Sequence, residues 1–440
     1  MKKSARQIAF EILMKIERDN AYSNLTLDSM LDSSALDTRD KSFVSALVYG
    51  IIERRLTIDY QLEQYLTKPL KKLKPEVIVI LRIGAYQLLF MDKVPVSAAV
   101  NESVKMTKAN KSAYSSSIVN AVLRKISKNG LILPDSSNLE EYLCIKYSCP
   151  VWLIKKWNAE YGADNTTQLL SASVETSETV IKVNTLKTSC ESLKNELISA
   201  GIGCQDGYIK DSLKISLFGA DIEKLDAFKK GLFHVQDTAS TLCATALYAQ
   251  ENDTVFDLCA APGGKAFTVA ELMNGKGRIV AFDLYAHRTE LIASGAKRLG
   301  IDIIEAQIGD ASEYNEELGK ADKVLCDVPC SGLGIIRRKP EIKYKSQESL
   351  ESLPDIQLKI LCNASRYVKN GGRLIYSTCT LNKDENENVC KKFLEISKDF
   401  ESVKPLPNVS QENFVTLMPH KNNTDGFFIA AFERKGNKNA

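Results

Sequence analysis

Apolar side chains recur at helical spacing from residue 4 to about 128: Ile8, Ile12 and Ile16; then Phe43, Leu47 and Ile51; then Ile80, Leu81, Ala85, Leu88 and Leu89. This half predicts a helical bundle. Breaks at Asp37-Thr-Arg-Asp40, Lys74-Pro75 and Lys93-Val-Pro95 supply the proline or N-cap residues that start new helices. A polar run, Pro134 to Asn138, suits a connection, so a first domain is placed at residues 1–135. The pattern then changes to a helix carrying Trp152 and Trp157, a strand-like Val180 to Val183, a helix near 189–200 and a strand-like Leu213 to Leu217. These predict a small α+β module over 136–235. From 236 to 440, short apolar runs alternate with helical segments: Thr254 to Leu258, Arg278 to Phe282, Ile303 to Ile308, Lys323 to Val328 and Arg373 to Tyr376. That rhythm predicts an α/β domain with a parallel, doubly wound sheet. Phe427 to Phe432 is expected as an antiparallel edge strand, and Lys435 to Ala440 as a frayed tail.

Composition narrows the class. A chain of 440 residues suits two or three domains, and 44% hydrophobic with 26% charged residues is enough to bury sizeable cores. The net charge of +3 demands no polyanionic partner, so any nucleic-acid surface must be local. The N-terminus runs into an amphipathic pattern, and no stretch approaches the roughly 20 apolar residues that span a bilayer. The eleven cysteines show no paired C-x-x-C spacing for structural zinc and, being odd in number and scattered, favour a reducing, cytoplasmic setting.

The chemistry concentrates at strand ends. Asp257-Leu-Cys259-Ala260-Ala261-Pro262-Gly263-Gly264-Lys265 follows an apolar strand and opens a helix, the crevice position of an open parallel sheet. Small residues there allow close backbone approach, and the helix N-terminus offers free N–H groups. Asp283 ends the next run twenty positions after Gly263, where a carboxylate can accept both hydroxyls of a ribose, and Asp310 ends the third. A dinucleotide fingerprint is missing, and a phosphate-binding loop would need Gly at 259 and Ser or Thr at 266, which hold Cys259 and Ala266. A nucleoside cofactor without a diphosphate, S-adenosyl-L-methionine, fits what remains better than a plain glycine turn would.

Asp327-Val-Pro-Cys330-Ser-Gly and Ser377-Thr-Cys379-Thr follow the fourth and fifth runs. If these strands are neighbours, about 4.8 Å apart, both sulfurs reach one substrate. Carbon 5 of cytosine is not nucleophilic until something adds to carbon 6, and a thiolate suits that covalent activation. Cys144, Cys190, Cys243, Cys362, Cys390 and Cys326 fit better as small hydrophobes. His234, His287 and His420 have no metal or triad spacing and receive no catalytic role; no metal is expected.

At these motifs the chain resembles the RNA cytosine-C5 methyltransferase family over roughly residues 236–434, ending at Asp425-Gly-Phe-Phe. The resemblance implies a Rossmann-like, class I methyltransferase domain in which Cys379 is the nucleophile and Cys330 assists release. It further implies that Asp327 contacts the amino edge of cytosine and that residues 259–265, Asp283, Asp310 and Asp327 hold S-adenosyl-L-methionine, with Lys265 between cofactor loop and catalytic centre. DNA cytosine methyltransferases carry their nucleophile in the Pro-Cys motif, so Cys379 argues for RNA and against DNA. Leu81-Arg-Ile-Gly-Ala-Tyr-Gln-Leu-Leu, Val94-Pro-Val with Asn101-Glu, and Val119-Asn-Ala-Val-Leu-Arg124 resemble the NusB-like RNA-binding fold. With an RRM-like middle module, this order resembles that of the family branch acting on bacterial 16S ribosomal RNA, and implies that RNA as the substrate. Val328, Leu333 and Ala266 depart from its usual Ala, Thr and Thr.

Arg337-Arg338-Lys339, soon after the Pro-Cys motif, is read as RNA-contacting, because guanidinium forks suit phosphates. Lys71-Lys72-Leu-Lys74 is equally well a solvated surface. Transfer RNA or another ribosomal site remains open as substrate, as does an RNA-binding assembly factor with vestigial catalysis.

Overall fold

The structure is a computed structural model that describes residues 3–19, 23–217 and 221–436. The C-terminal four residues of the expected frayed tail, 437–440, lie outside the described residues. The described residues divide into two compact units, one within Met1–Glu175 plus Ile336–Lys345, the other within Thr176–Ile335 plus Ser346–Ala440.

The first unit is helical. It holds α1 (Ala5–Asp19), α2 (Ser23–Asp32), α3 (Thr38–Glu53), α4 (Arg55–Glu63), α5 (Pro75–Phe90), α6 (Val96–Ala109), α7 (Ser116–Asn129), α8 (Leu139–Tyr147), α9 (Val151–Tyr161) and α10 (Ala163–Ala172). Asp37 caps α3 by accepting the Asp40 N–H at 2.8 Å, and Pro75 occupies the first turn of α5, where its missing N–H costs nothing. Helix α5 is apolar around most of its circumference because α1, α3, α4, α6 and α7 all pack on it. Gly84 permits that approach: a Cβ there would collide with Leu123 of α7 and Ser103 of α6. The segment Ile336–Lys345 is an excursion of the second unit's chain that folds into this one. The Lys343 ammonium donates to the Glu53 carbonyl at 2.8 Å, the Tyr344 hydroxyl donates to the Ile52 carbonyl at 2.9 Å, and Arg55 lies 3.7 Å from the Tyr344 ring centroid.

The second unit begins with β1 (Thr179–Val183), α11 (Cys190–Ser199), β2 (Gly203–Asp206), β3 (Ser212–Ser216), α12 (Asp226–Lys229) and β4 (Phe233–Val235). Its four strands form an antiparallel sheet in the order β2-β3-β1-β4 over a core of Ile181, Val183, Leu193, Leu197, Leu213 and Phe233. The pattern along the chain missed β2 and β4, which are four and three residues long and too short to show an alternation.

There follow α13 (Thr238–Thr245), β5 (Thr254–Asp257), α14 (Gly264–Leu272), β6 (Arg278–Asp283), α15 (Ala286–Leu299), β7 (Ile304–Ile308), β8 (Ala321–Asp327), α16 (Leu353–Tyr367), β9 (Val368–Thr378), α17 (Glu387–Ile396), β10 (Phe400–Val403), β11 (Phe414–Leu417), α18 (Pro419–Asn422) and β12 (Phe427–Arg434). The sheet order is β10-β12-β9-β8-β5-β6-β7, with β11 also pairing with β12. Strands β9, β8, β5, β6 and β7 run parallel, while β12 is antiparallel to β9, β10 and β11. The five parallel strands are those the rhythm predicts, and β12 is antiparallel as expected but lies inside the sheet, correcting the expectation that Phe427–Phe432 forms its edge. The reason lies in that run itself: Phe427, Ile429 and Ala431 enter the core on one face and Phe428, Ala430 and Phe432 the core on the other, so both sides need cover.

Candidate active site

Asp257 closes β5 beneath the cofactor-type loop. The Ala260 N–H donates to the Phe282 carbonyl and the Gly263 N–H to the Ala260 carbonyl, both at 2.7 Å, which folds the loop tightly before α14. Gly263 has φ +109°, and a Cβ there would strike the Phe267 ring, so the turn requires glycine. Asp283, at the end of β6, is almost fully buried and pairs with Arg288 at 3.2 Å; Arg288 also donates to the Ala261 carbonyl at 3.1 Å, linking the acid to the loop. Beside them a cavity of about 190 Å³ is lined by Leu258, Phe282, Ile308, Asp310, Tyr314 and Tyr367. Asp310 accepts the Ser312 N–H at 2.8 Å, which lowers its carboxyl below the ordinary value.

These residues fit S-adenosyl-L-methionine. The apolar and aromatic cavity suits an adenine ring, and the acids at the ends of β6 and β7 suit ribose hydroxyls. Asp257 supplies an independent indication, because its two buried carboxylate oxygens have no hydrogen-bond partner and only a weak approach from the Cys259 N–H. Burial pushes its carboxyl up to about 7. A buried carboxyl left without a partner in the protein is a ready acceptor for an ammonium group.

Strands β8 and β9 are parallel neighbours, with Asp327 opposite Ser377. The Ser377 hydroxyl donates to Asp327 Oδ1 at 2.8 Å, and Lys265 Nζ lies 2.5 Å from Asp327 Oδ2. Burial opposes the charge on Lys265, yet the adjacent Asp327 outweighs it and holds the ammonium above the ordinary lysine value. Just past the strand ends, Cys330 Sγ and Cys379 Sγ lie 3.3 Å apart, both partly exposed. The hydrogen bond to Cys379, then burial, raises the Cys330 thiol well above its ordinary value.

The structure thus brings Cys330, Cys379, Asp327 and Lys265 together, with residues 259–264, Asp257 and Asp283 along the same strand ends. Arg337 and Arg338 are half-buried on the excursion that belongs to the helical unit. Lys71, Lys72 and Lys74 are exposed, and Lys74 Nζ lies 5.3 Å from the ring centroid of exposed Tyr114. His234 is buried and its imidazole is pushed down to about 3 by burial, so it stays neutral. Reading the chain missed Gln357, Glu385 and Asn386, all fully buried. The two from the run Asn382 to Asn388 were hidden because seven consecutive polar residues look like a solvated loop. Among the described residues no helix is long and apolar enough to cross a membrane, and no cluster of His, Cys, Asp and Glu could hold a metal ion.

Comparison with known proteins agrees with this architecture. Residues 244–433 match the family model of the 16S rRNA methyltransferase RsmB/F, residues 3–128 the NusB family, and residues 149–219 the RsmF/B-like ferredoxin-like domain. The chain is 36% identical to a probable ribosomal RNA small subunit methyltransferase B of Bacillus subtilis (strain 168), over 99% of this chain and 100% of the relative. A Synechocystis protein of the same description is 34% identical over 98% of this chain and 99% of its own. The crystal structure of PH0851 superposes with a TM-score of 0.82 at 28% identity, covering 99% of this chain and 100% of that one. A helical NusB-like domain, a ferredoxin-like domain and a methyltransferase domain in one full-length match leave one assignment: the chain belongs to the RsmB/F family of ribosomal RNA methyltransferases.

Proposed function

We propose that this enzyme transfers the methyl group of S-adenosyl-L-methionine to carbon 5 of a cytosine in 16S ribosomal RNA through a covalent bond between Cys379 and the base. The observation that carries the reading is the pair of sulfurs 3.3 Å apart at the ends of adjacent parallel strands. Two thiols so placed serve two stages of one reaction. Cys379 adds as thiolate to carbon 6, and the electron pair displaced from the ring double bond makes carbon 5 nucleophilic. The bound cofactor supplies an electrophilic methyl on a sulfonium. Cys330 then assists loss of the carbon 5 proton, and elimination breaks the bond from Cys379 to carbon 6 and restores the aromatic ring.

In this reading Asp327 accepts from the amino group of cytosine, a role supported by Ser377 and Lys265 holding its two oxygens. Residues Cys259 to Lys265, Asp283 and Asp310 hold the cofactor. A base within structured RNA is splayed out to reach Cys379. The N-terminal helical domain, taken as residues 1–135, binds RNA, with Arg337 and Arg338 among the contacts, while residues 236–440 carry the chemistry. Of the stretch 136–235 expected as one α+β module, the helices over 139–172 belong to the helical unit and the four-stranded sheet begins at Thr179. Bisulfite mapping of ribosomal and transfer RNA from cells with and without the gene tests the substrate. Loss of one 16S site is expected, whereas loss in transfer RNA or no loss at all would overturn it.

A further inference from the structure

Beneath the two sulfurs, each cysteine is pinned through its chain neighbours. Cys330 lies between Pro329, whose carbonyl accepts from Gln357 Nε2 at 3.0 Å, and Ser331, whose N–H donates to Glu385 Oε2 at 2.8 Å. Gln357 also donates to Glu385 Oε2 at 2.9 Å, and Asn382 Nδ2 donates to Glu385 Oε1 at 2.8 Å. Cys379 lies between Thr378, whose hydroxyl donates to Asn386 Oδ1 at 2.5 Å, and Thr380, whose carbonyl accepts from Asn386 Nδ2 at 3.0 Å. The Ser331 and Thr380 hydroxyls meet at 2.6 Å, and the Gly334 N–H donates to the Cys379 carbonyl at 3.0 Å. Glu385 and Asn386 are both fully buried and adjacent in the chain.

We infer that the Glu385-Asn386 pair is the joint that sets the distance between the two cysteines, with Glu385 positioning Cys330 for release and Asn386 positioning Cys379 for attack. The inference rests on the covalent reading proposed above. The three named partners of the Glu385 carboxyl group, the Ser331 N–H and the Gln357 and Asn382 side-chain amides, are all donors, so two acceptor oxygens match them and an amide, whose nitrogen donates, does not. Since a misplacement of about 1 Å can cost roughly a hundredfold in rate, a buried joint under the sulfurs bears on chemistry without touching the substrate. Glu385 and Asn386 are thus positioning residues. Their signatures differ because the stages differ.

The test uses full-length protein, a small-subunit ribosomal RNA transcript and radiolabelled S-adenosyl-L-methionine, reading methyl incorporation and the denaturation-resistant protein–RNA adduct on a gel. Glu385→Gln is expected to bind RNA and cofactor as the parent does, to turn over about tenfold or more slowly, and to accumulate adduct. Adding it to Cys330→Ala should slow turnover no further. Asn386→Asp should lose product and adduct together. Glu385→Gln with parental turnover, or with product and adduct reduced in parallel, would overturn the assignment. If Glu385→Gln fails to fold, Gln357→Leu, which releases the Pro329 side, must still accumulate adduct; its absence in folded protein would equally sink the idea. A Cys330→Ala variant without adduct removes the covalent reading and this inference with it. Adduct in Cys330→Ala but in neither Glu385→Gln nor Gln357→Leu leaves that reading intact and removes only the joint.

Discussion

Lys265 Nζ lies 2.5 Å from Asp327 Oδ2, tying the helix that follows β5 to the end of β8 with a half-buried ion pair. Removing one partner strands the other charge in a poorly solvated site, whereas removing both does not. Lys265→Met and Asp327→Asn alone are each expected to destabilise the fold by about 2–3 kcal/mol, and the double variant by less than either. Denaturant unfolding of the four proteins checks this. Additive losses would mean that the pair is not coupled.

Asp283 is the proposed acceptor for ribose hydroxyls, and hydrogen bonds to a charged group are worth roughly 1.5–3 kcal/mol. Asp283→Ala should therefore weaken S-adenosyl-L-methionine binding about tenfold or more. Because Arg288 bridges Asp283 and the Ala261 carbonyl, Arg288→Ala should weaken binding as well, by a smaller factor. Calorimetry on folded variants decides, and unchanged affinity in Asp283→Ala would remove the assignment.

What could be read from the chain follows what periodicity measures. Helices of the N-terminal half such as α1 and α3 are legible because each hides one stripe, as Ile8, Ile12 and Leu47, Ile51 do. The sulfur pair was legible only on condition that β8 and β9 are neighbours, since strand order depends on long-range pairing that a local pattern does not encode. The same limit misplaced β12: Phe427 to Phe432 announce burial on both faces but not which strands provide it. Glu385 and Asn386 escaped because polar residues carry no periodic signal, and only the hydrogen bonds show that they form a buried layer.

Lys71, Lys72 and Lys74 stand exposed, with Tyr114 beside Lys74. Reversing the three charges to Glu should weaken RNA binding across sequences alike and flatten its salt dependence, because each phosphate contact releases counterions. Filter binding from low to moderate salt is the measurement. An unchanged slope would return these lysines to the solvated surface, with the RNA path elsewhere.

Asp257 makes stability depend on pH in a direction opposite to most surface carboxylates. Burial pushes its folded-state value up to about 7, above that of the unfolded chain. Folded protein therefore holds a proton that unfolded protein has released, and the contribution is complete at acid pH and lost as pH rises through about 7. Asp257→Asn removes that loss. The Tm of the variant relative to the parent should climb by several degrees between about pH 5 and about pH 8, and a constant difference would show that the carboxyl titrates normally.

The two cysteines are separable by the stage at which each acts. Cys379→Ala removes the group that adds to carbon 6, so neither methylated RNA nor a covalent adduct should form. Cys330→Ala leaves addition and methyl transfer intact and impairs the loss of the carbon 5 proton that frees Cys379. It should trap protein on RNA as a band that survives denaturation, and the Cys330→Ala/Cys379→Ala double variant should lose that band. The sulfurs sit only 3.3 Å apart, and one readout has to separate their roles. The gel does: an adduct in Cys379→Ala that vanishes in Cys330→Ala would exchange them and make the Pro-Cys motif the source of the nucleophile. Methylation intact in every variant, with no adduct in any, would mean that carbon 5 is activated without either thiol.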